Sequence, residues 1–282
     1  MRRLILLAAL GAPLPARAHG LFDHHLIERA PLWITALLML GAWGLYLLGC
    51  RRVAPRRLDI VCFHLALLLA VLAIFGPLDD RAETSTAWHM TQHMLFILVI
   101  GPLAALARPL PQWRAVLGWR GAWLWQPLLR SARYPGVLTL LHGLVIWIWH
   151  VPRLYQLALD NLWWHAIEHA CFLLSAWLFW WAVLHAPKPR APQALLAILL
   201  TMLHTGLLGA LLTFAPMPLY GDARSLADQQ LAGLLMWVPG GVLYLLGAGW
   251  AAWRWLGREE TTEADEYTVA RRAGGLVANA RR

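Results

Sequence analysis

Two pairs of histidines stand four residues apart in this chain: His89 with His93 in WHMTQHM, and His165 with His169 in WWHAIEHA. On a helix that spacing puts both rings of a pair on one face. Imidazole nitrogen suits copper, zinc and iron, and thioether sulfur favours Cu(I); Met90 and Met94 interleave with the first pair. The pattern points to a late first-row metal, with His150 of WIWHVPRLY as a fifth candidate ligand. Glu168 lies beside the second pair. It either accepts a hydrogen bond from a ligand imidazole and fixes its tautomer, or favours the start of a helix through its negative charge. Plainer readings exist for both residue types. A lone histidine at the end of a membrane span is more often a hydrogen-bonder than a ligand, and methionine is more often a filler of irregular gaps.

Other chemistries fit these residues less well. HAIEH matches the H-x-x-E-H pattern of zinc peptidases. That reaction also needs a third protein ligand, an open coordination position and a glutamate base, and no soluble catalytic scaffold surrounds the motif. Membrane di-iron oxygenases carry more histidines, usually with an HxxHH element, and the sequence has none. Haem held by two imidazoles needs single histidines at matching depth on two helices. His142 and His204 meet that description, so a haem-binding redox protein is the alternative reading. A metal-ion transporter is a third, and a site at one membrane face argues against it.

The elements that must position these residues are membrane spans. Of the 282 residues, 60% are hydrophobic and 14% charged, against about 25% charged in a soluble domain. The apolar runs approach the ~20 residues that cross about 30 Å of hydrocarbon. Residues 1–18, MRRLILLAALGAPLPARA, have the charged start, short apolar run and Ala-Arg-Ala end of a signal peptide. Cleavage there makes His19 the mature N-terminus, beside His24 and His25; this trio is either a copper-binding tail or a solvated one. Seven spans are expected, over Pro31–Gly49, Leu58–Leu78, Trp88–Ala107, Tyr134–His150, Trp163–His185, Ala194–Ala215 and Gln230–Trp255. The fold class is therefore all-α, a polytopic membrane bundle over residues 19–256 with a flexible cytoplasmic tail over 257–282.

Charge sets the orientation. With the N-terminus outside, the inner loops hold eleven basic residues and the outer loops three, Arg81, Arg153 and Arg224. That asymmetry satisfies the positive-inside rule, with the C-terminus inside. It also accounts for the formal charge of +9 without nucleic acid, for which a basic charge alone is a weak sign. The three cysteines, Cys50, Cys62 and Cys171, form no CxxC pair, so a disulfide framework or thiolate metal site is not expected. The inner loop with Trp113, Trp119, Trp123 and Trp125 among Arg114, Arg120 and Arg130 reads as a helix in the membrane interface.

Topology then gives each histidine a depth. His89, His93, His150, His165 and His169 fall in one layer at the outer ends of the third, fourth and fifth spans. Ionisable groups at such places are costly to keep and mark function by default. His64 and His185 read as hydrogen-bonding histidines. His142 and His204 lie deeper and could join the site or a path towards it. The outer loop FAPMPLYGDARSLADQQ, with Asp222 and Asp228, either shields the site or is a connection shaped by Pro216, Pro218 and Gly221.

Four stretches in order, HMTQHMLFILVIGPLAALARP, WIWHVPRLYQLAL, HAIEHACFLLSAWLFWW and TFAPMPLYGDARSLADQQLAGLLMWVPGG, resemble the multi-span CtaG family of cytochrome c oxidase assembly factors. The resemblance runs from Trp88 to Gly241. It implies a non-enzymatic accessory protein of a bacterial inner (plasma) membrane, which helps build a haem–copper oxidase by delivering copper. The implied partners are the oxidase catalytic subunit or other assembly factors, and the matching positions are His89, His93, His150, His165 and His169. No cysteine copper motif accompanies them, so copper would be passed through imidazole and thioether alone.

Overall fold

Apolar runs bounded by arginine or proline become helices of membrane length. The computed structural model describes residues 29–279 apart from 122–125, 127–129, 131–132 and 222–223. The segment 1–18, His19, His24 and His25, Trp123, Trp125 and Asp222 lie outside the described residues. Among the described residues all regular structure is helical. Helices α1 (Ala30–Cys50) and α2 (Arg57–Phe75) are the first two spans. Gly76 ends α2, and Pro77 starts a short helix, α3 (Pro77–Ala82), that takes the chain to the third span.

That third span, Thr86–Ala107, has three parts: α4 (Thr86–Leu95), a π-helical stretch (Phe96–Ile100) and α5 (Gly101–Ala107). Pro102 has no N–H to offer the carbonyl one turn back. The loosened turn is held from outside, where the Trp180 indole N–H donates to the Ile97 carbonyl at 2.8 Å. Single π turns within α-helices are frequent at functional sites, and this one begins three residues after His93. Beyond the span, α6 (Leu110–Leu117) and a 3₁₀ turn (Gly118–Gly121) form the start of the basic inner loop.

The fourth expected span, Tyr134–His150, is met by a helix of nearly the same bounds. Helix α7 (Pro135–Trp149) has 15 residues, about 22 Å at 1.5 Å per residue, which is short of the hydrocarbon thickness. The chain then turns by 71° into α8 (Pro152–Asp160). Val151, placed before a proline, is extended, and Pro152 denies α7 a further backbone bond. Among the described residues six helices are long and apolar enough to cross a membrane, or there are up to seven spans if this bent pair counts as one.

Three helices complete the bundle: α9 (Leu162–Leu184), α10 (Ala191–Thr213) and α11 (Leu226–Asn279), whose apolar part is Leu226–Trp253. The backbone of α11 stays helical through the segment expected to be a tail. Helices α10 and α11 approach closely because two glycines face each other. A methyl group built on Gly209 would meet the Gly233 carbonyl oxygen at 2.8 Å, and one on Gly233 the Gly209 carbonyl oxygen at 2.5 Å. Small residues bring helices together in this way within membranes. The main core draws on α4, α7, α9, α10 and α11, so the histidine-bearing α4 and α9 are central. Helix α1 keeps most of its leucines on the surface, as a lipid-facing helix does.

Candidate metal centre

Two helix starts set the phase of the histidines. On α4 the Ser85 hydroxyl accepts from the Trp88 N–H at 3.2 Å. Asp228, at the start of α11, reaches across to the same turn. Its carboxylate accepts from the Ser85 hydroxyl at 2.7 Å, from the Thr86 N–H and from the Ala87 N–H at 3.4 Å. A carboxylate on exposed helix donors satisfies both hydrogen bonding and the helix dipole. Further along, the Gln92 amide donates to the Ala73 carbonyl at 2.7 Å and to Asp79 at 2.8 Å, which ties α4 to α2 and α3. On α9 the Asn161 side chain caps the Trp163 and Trp164 N–H groups at 2.9 and 3.4 Å. One turn later His165, Glu168 and His169 share the face turned to α4.

The two faces meet. His89, His165 and Glu168 offer ligand atoms within 4.8 Å of one another, and so do His93, His169 and Glu168. One Glu168 oxygen, Oε2, lies 3.6 Å from Nε2 of both His89 and His93. Glu168, His89 and His93 have 0% exposure. Neither Glu168 oxygen has a hydrogen-bond partner, nor does either nitrogen of His89 or His93, nor Nε2 of His165 and His169. Sequence reading gave Glu168 an accessory part, orienting one imidazole. The structure puts it in the middle of the cluster. The pairing of His89 with His165 and His93 with His169 also shows that α4 and α9 run the same way, as spans with one crossing between them must.

His150 stands one step aside. Its Nδ1 donates to the Ile146 carbonyl at 2.7 Å, and Nε2 faces the Met90 sulfur at 3.3 Å. A carbonyl only accepts, so the proton is on Nδ1 and Nε2 carries the lone pair. The His150 ring centroid is 6.2 Å from that of His93. Met90 is thus a neighbour of the cluster. Met94 is not: its sulfur faces Gly240 of α11. His142 and His204 form a separate, deeper feature. His142 Nδ1 donates to the Ser175 hydroxyl at 2.9 Å, while the nitrogens of His204 and Nε2 of His142 are unpartnered. His64 and His185 are hydrogen-bonding histidines as expected, with Nε2 accepting from the Trp43 indole at 3.4 Å and from Arg108 at 2.8 Å respectively.

A polar lid covers the cluster, and its parts are not evident from sequence. Tyr155 of α8 meets His89 edge-on, with centroids 5.1 Å apart, and stacks on Tyr220 at 3.9 Å. The Tyr220 hydroxyl donates to the His150 carbonyl at 3.2 Å. Burial pushes the Tyr220 phenol well above its ordinary range, helped by Tyr155 and Glu168. Arg224 donates to the Tyr155 hydroxyl at 3.3 Å and to the carbonyls of Ala82 and Glu83 at 3.0 and 2.7 Å. The loop before α11 therefore packs over the histidine cluster through Tyr220 and Arg224, and it turns at Gly221, whose φ is 87°. The hydrogen bonds among these contacts join residues 69 to 142 positions apart, so no local motif announces them.

Access lies to the side. A cavity of about 160 Å³ runs between α1 and α9, lined by Thr35, Met39, Asp79 and Phe96 among others, and reaches His165 and His169. Asp79 stands outside the spans. Burial, with Glu83 and Asp80 nearby, raises its carboxyl to about 6, against the lowering effect of Gln92. Two larger cavities, about 410 and 380 Å³, have hydrocarbon walls along α1 and α2 and lie away from the histidines.

The donor set passes a simple test of fit. A buried carboxylate without hydrogen bonds is costly unless a cation meets it. Four imidazoles with free nitrogens surround this one. Nitrogen and oxygen donors of this kind suit a divalent late first-row ion, and copper heads the affinity order; the thioether contribution reduces to Met90. Comparison with known proteins agrees on the broader role. The family model described as cytochrome c oxidase caa3 assembly factor matches residues 44–258, well over half of the 282 residues. No curated protein and no solved structure matches.

Proposed function

We propose, for a chain that belongs to the cytochrome c oxidase caa3 assembly factors, that copper is the cargo and that the histidine cluster between α4 and α9 carries it. Assembly of a cytochrome c oxidase and residence in a membrane follow from the family and the apolar helices. Copper, the plasma membrane and an outward-facing site are the finer reading. The observation that carries it is Glu168, fully buried and without a hydrogen bond among histidines whose nitrogens are also free. His89, His93, His165 and His169 would hold the ion with Glu168, and His150 and Met90 would be its first stop on leaving. Exchange among these donors needs no bond-making turnover. The lid of Tyr155, Tyr220 and Arg224 would slow loss of the ion to water, while the slot under α1 leaves a lateral route to a membrane partner, the oxidase catalytic subunit or another assembly factor.

The haem reading is weaker on a specific ground. The Nε2 of His204 abuts the α7 backbone, where a methyl group on Gly143 would lie 3.0 Å from it. An iron-binding nitrogen needs that space. The test of the copper reading is metal content of detergent-purified protein, with oxidase assembly scored in cells carrying only the variant. Replacing His165 and His169 together by alanine is expected to remove both. Normal copper content in that variant would sink the proposal, and a Soret band in the colourless-by-expectation wild type would favour haem.

A further inference from the structure

We infer that the cluster holds two metal ions rather than one, with the Glu168 carboxylate bridging them. This rests on the metal-binding reading above. Histidines four apart on one helix often share an ion, as in H-E-x-x-H sites. Here the converging ligand atoms pair across the helices instead. His89 meets His165, His93 meets His169, and the only member common to both groups is Glu168. Ligand atoms on one first-row ion at about 2.0–2.2 Å lie no more than about 4.4 Å apart. Each three-residue group needs only a small contraction from its 4.8 Å limit to meet that distance.

The carboxylate sits where a bridge must. Glu168 Oε2 is equidistant, at 3.6 Å, from the first-helix histidine of each group, and both its oxygens are free of hydrogen bonds. A carboxylate can give each oxygen to a different ion, and ions about 3.5–4 Å apart are the usual result. Two histidines and a shared carboxylate leave each ion an open position. That is the arrangement of a site that exchanges ligands. One chain would thus present two copper ions at once.

Copper stoichiometry and magnetism of the full-length protein decide it. Wild type, loaded with copper(II) in detergent and freed of excess metal, is expected to retain two ions per chain. Carboxylate-bridged copper(II) ions couple, so the integrated electron paramagnetic resonance signal should fall below the copper measured by elemental analysis. The double variants His89→Ala/His165→Ala and His93→Ala/His169→Ala should each keep one ion, with a signal that accounts for all of it. The wild-type measurement needs no variant, so misfolding cannot blur the outcome. One copper per chain with a full signal overturns the bridge and leaves the copper reading standing. No retained copper overturns both. Two ions that persist after all four histidines are replaced place the metal elsewhere, His19, His24 and His25 included, and also overturn both.

Discussion

Helix α9 carries histidines at both ends, and the two ends treat them differently. At its finish, His185 is fully employed. Nδ1 donates to the Trp181 carbonyl at 3.1 Å, Nε2 accepts from Arg108 at 2.8 Å, and the ring stacks on Trp181 at 4.5 Å. At its start, Nε2 of His165 and His169 and both oxygens of Glu168 have no hydrogen-bond partner, although Glu168 is wholly buried and its Oε2 lies 3.6 Å from Nε2 of His89 and of His93. Buried polar groups are normally paired. A buried carboxylate facing unpaired imidazoles is the arrangement a cation would complete, as the copper reading proposes, whereas His185 is held by the protein itself.

The sharpest way to break this contrast is to remove rings at each end. His165→Ala/His169→Ala should lower copper retention at least about tenfold, and His185→Ala should leave it unchanged. Elemental analysis of the purified variants reads both. Equal losses at the two ends would mean that free nitrogens say nothing about binding.

Glu168→Gln sharpens the same point with less disturbance of shape. Copper affinity should fall by about 10–100-fold. Without metal, the variant should be more stable than wild type by about 1–3 kcal/mol, because a buried charge without hydrogen bonds has been neutralised. Thermal unfolding with and without copper reads the two effects as opposite shifts. A variant destabilised in both states would show that Glu168 is a structural pairing group like His185.

How much of this contrast is legible in the sequence depends on range. The spans are legible because each is an apolar run closed by arginine, proline or glycine, and the i, i+4 histidines declare their common face. Even so, the helix that answers to the expected Tyr134–His150 span, Pro135–Trp149, is followed by a 71° bend at Pro152 that hydropathy does not announce. The free state of Glu168 is not legible. Its position at i+3 from His165 gives its face, but whether a facing helix offers it a donor depends on packing between α4 and α9. Tyr155, Tyr220 and Arg224 escape for the same reason. Their partners lie far along the chain, and alone each looks like an ordinary loop or helix residue.

The lid and cap predict a smaller effect. Asp228→Ala removes the acceptor on the first turn of α4 and should cost about 1–2 kcal/mol. Copper stoichiometry should hold, while release to a chelator should quicken severalfold as His89 and His93 lose their fixed phase. Unchanged release would confine Asp228 to stability.

The smallest effect on copper is expected at Asp79, which borders the slot but belongs to neither histidine group. Its carboxyl has an ordinary value of 3.8 and is raised to about 6 in the fold, chiefly by burial. The folded state therefore binds this proton more tightly than the unfolded chain. Asp79 contributes stability that is fully present below about pH 3.8 and is lost as pH rises through about 6. Asparagine keeps an oxygen for the Gln92 donor and cannot ionise. Wild type and Asp79→Asn should be equally stable near about pH 4, and the variant should gain to a plateau of about 1–3 kcal/mol by about pH 7. Subtracting the two melting curves cancels the other carboxylates. A difference that stays constant with pH would show that Asp79 is charged at no cost, and that the slot is wetter than its lining implies. Copper stoichiometry should stay the same throughout, because Asp79 belongs to neither group of converging ligand atoms, both of which contain Glu168.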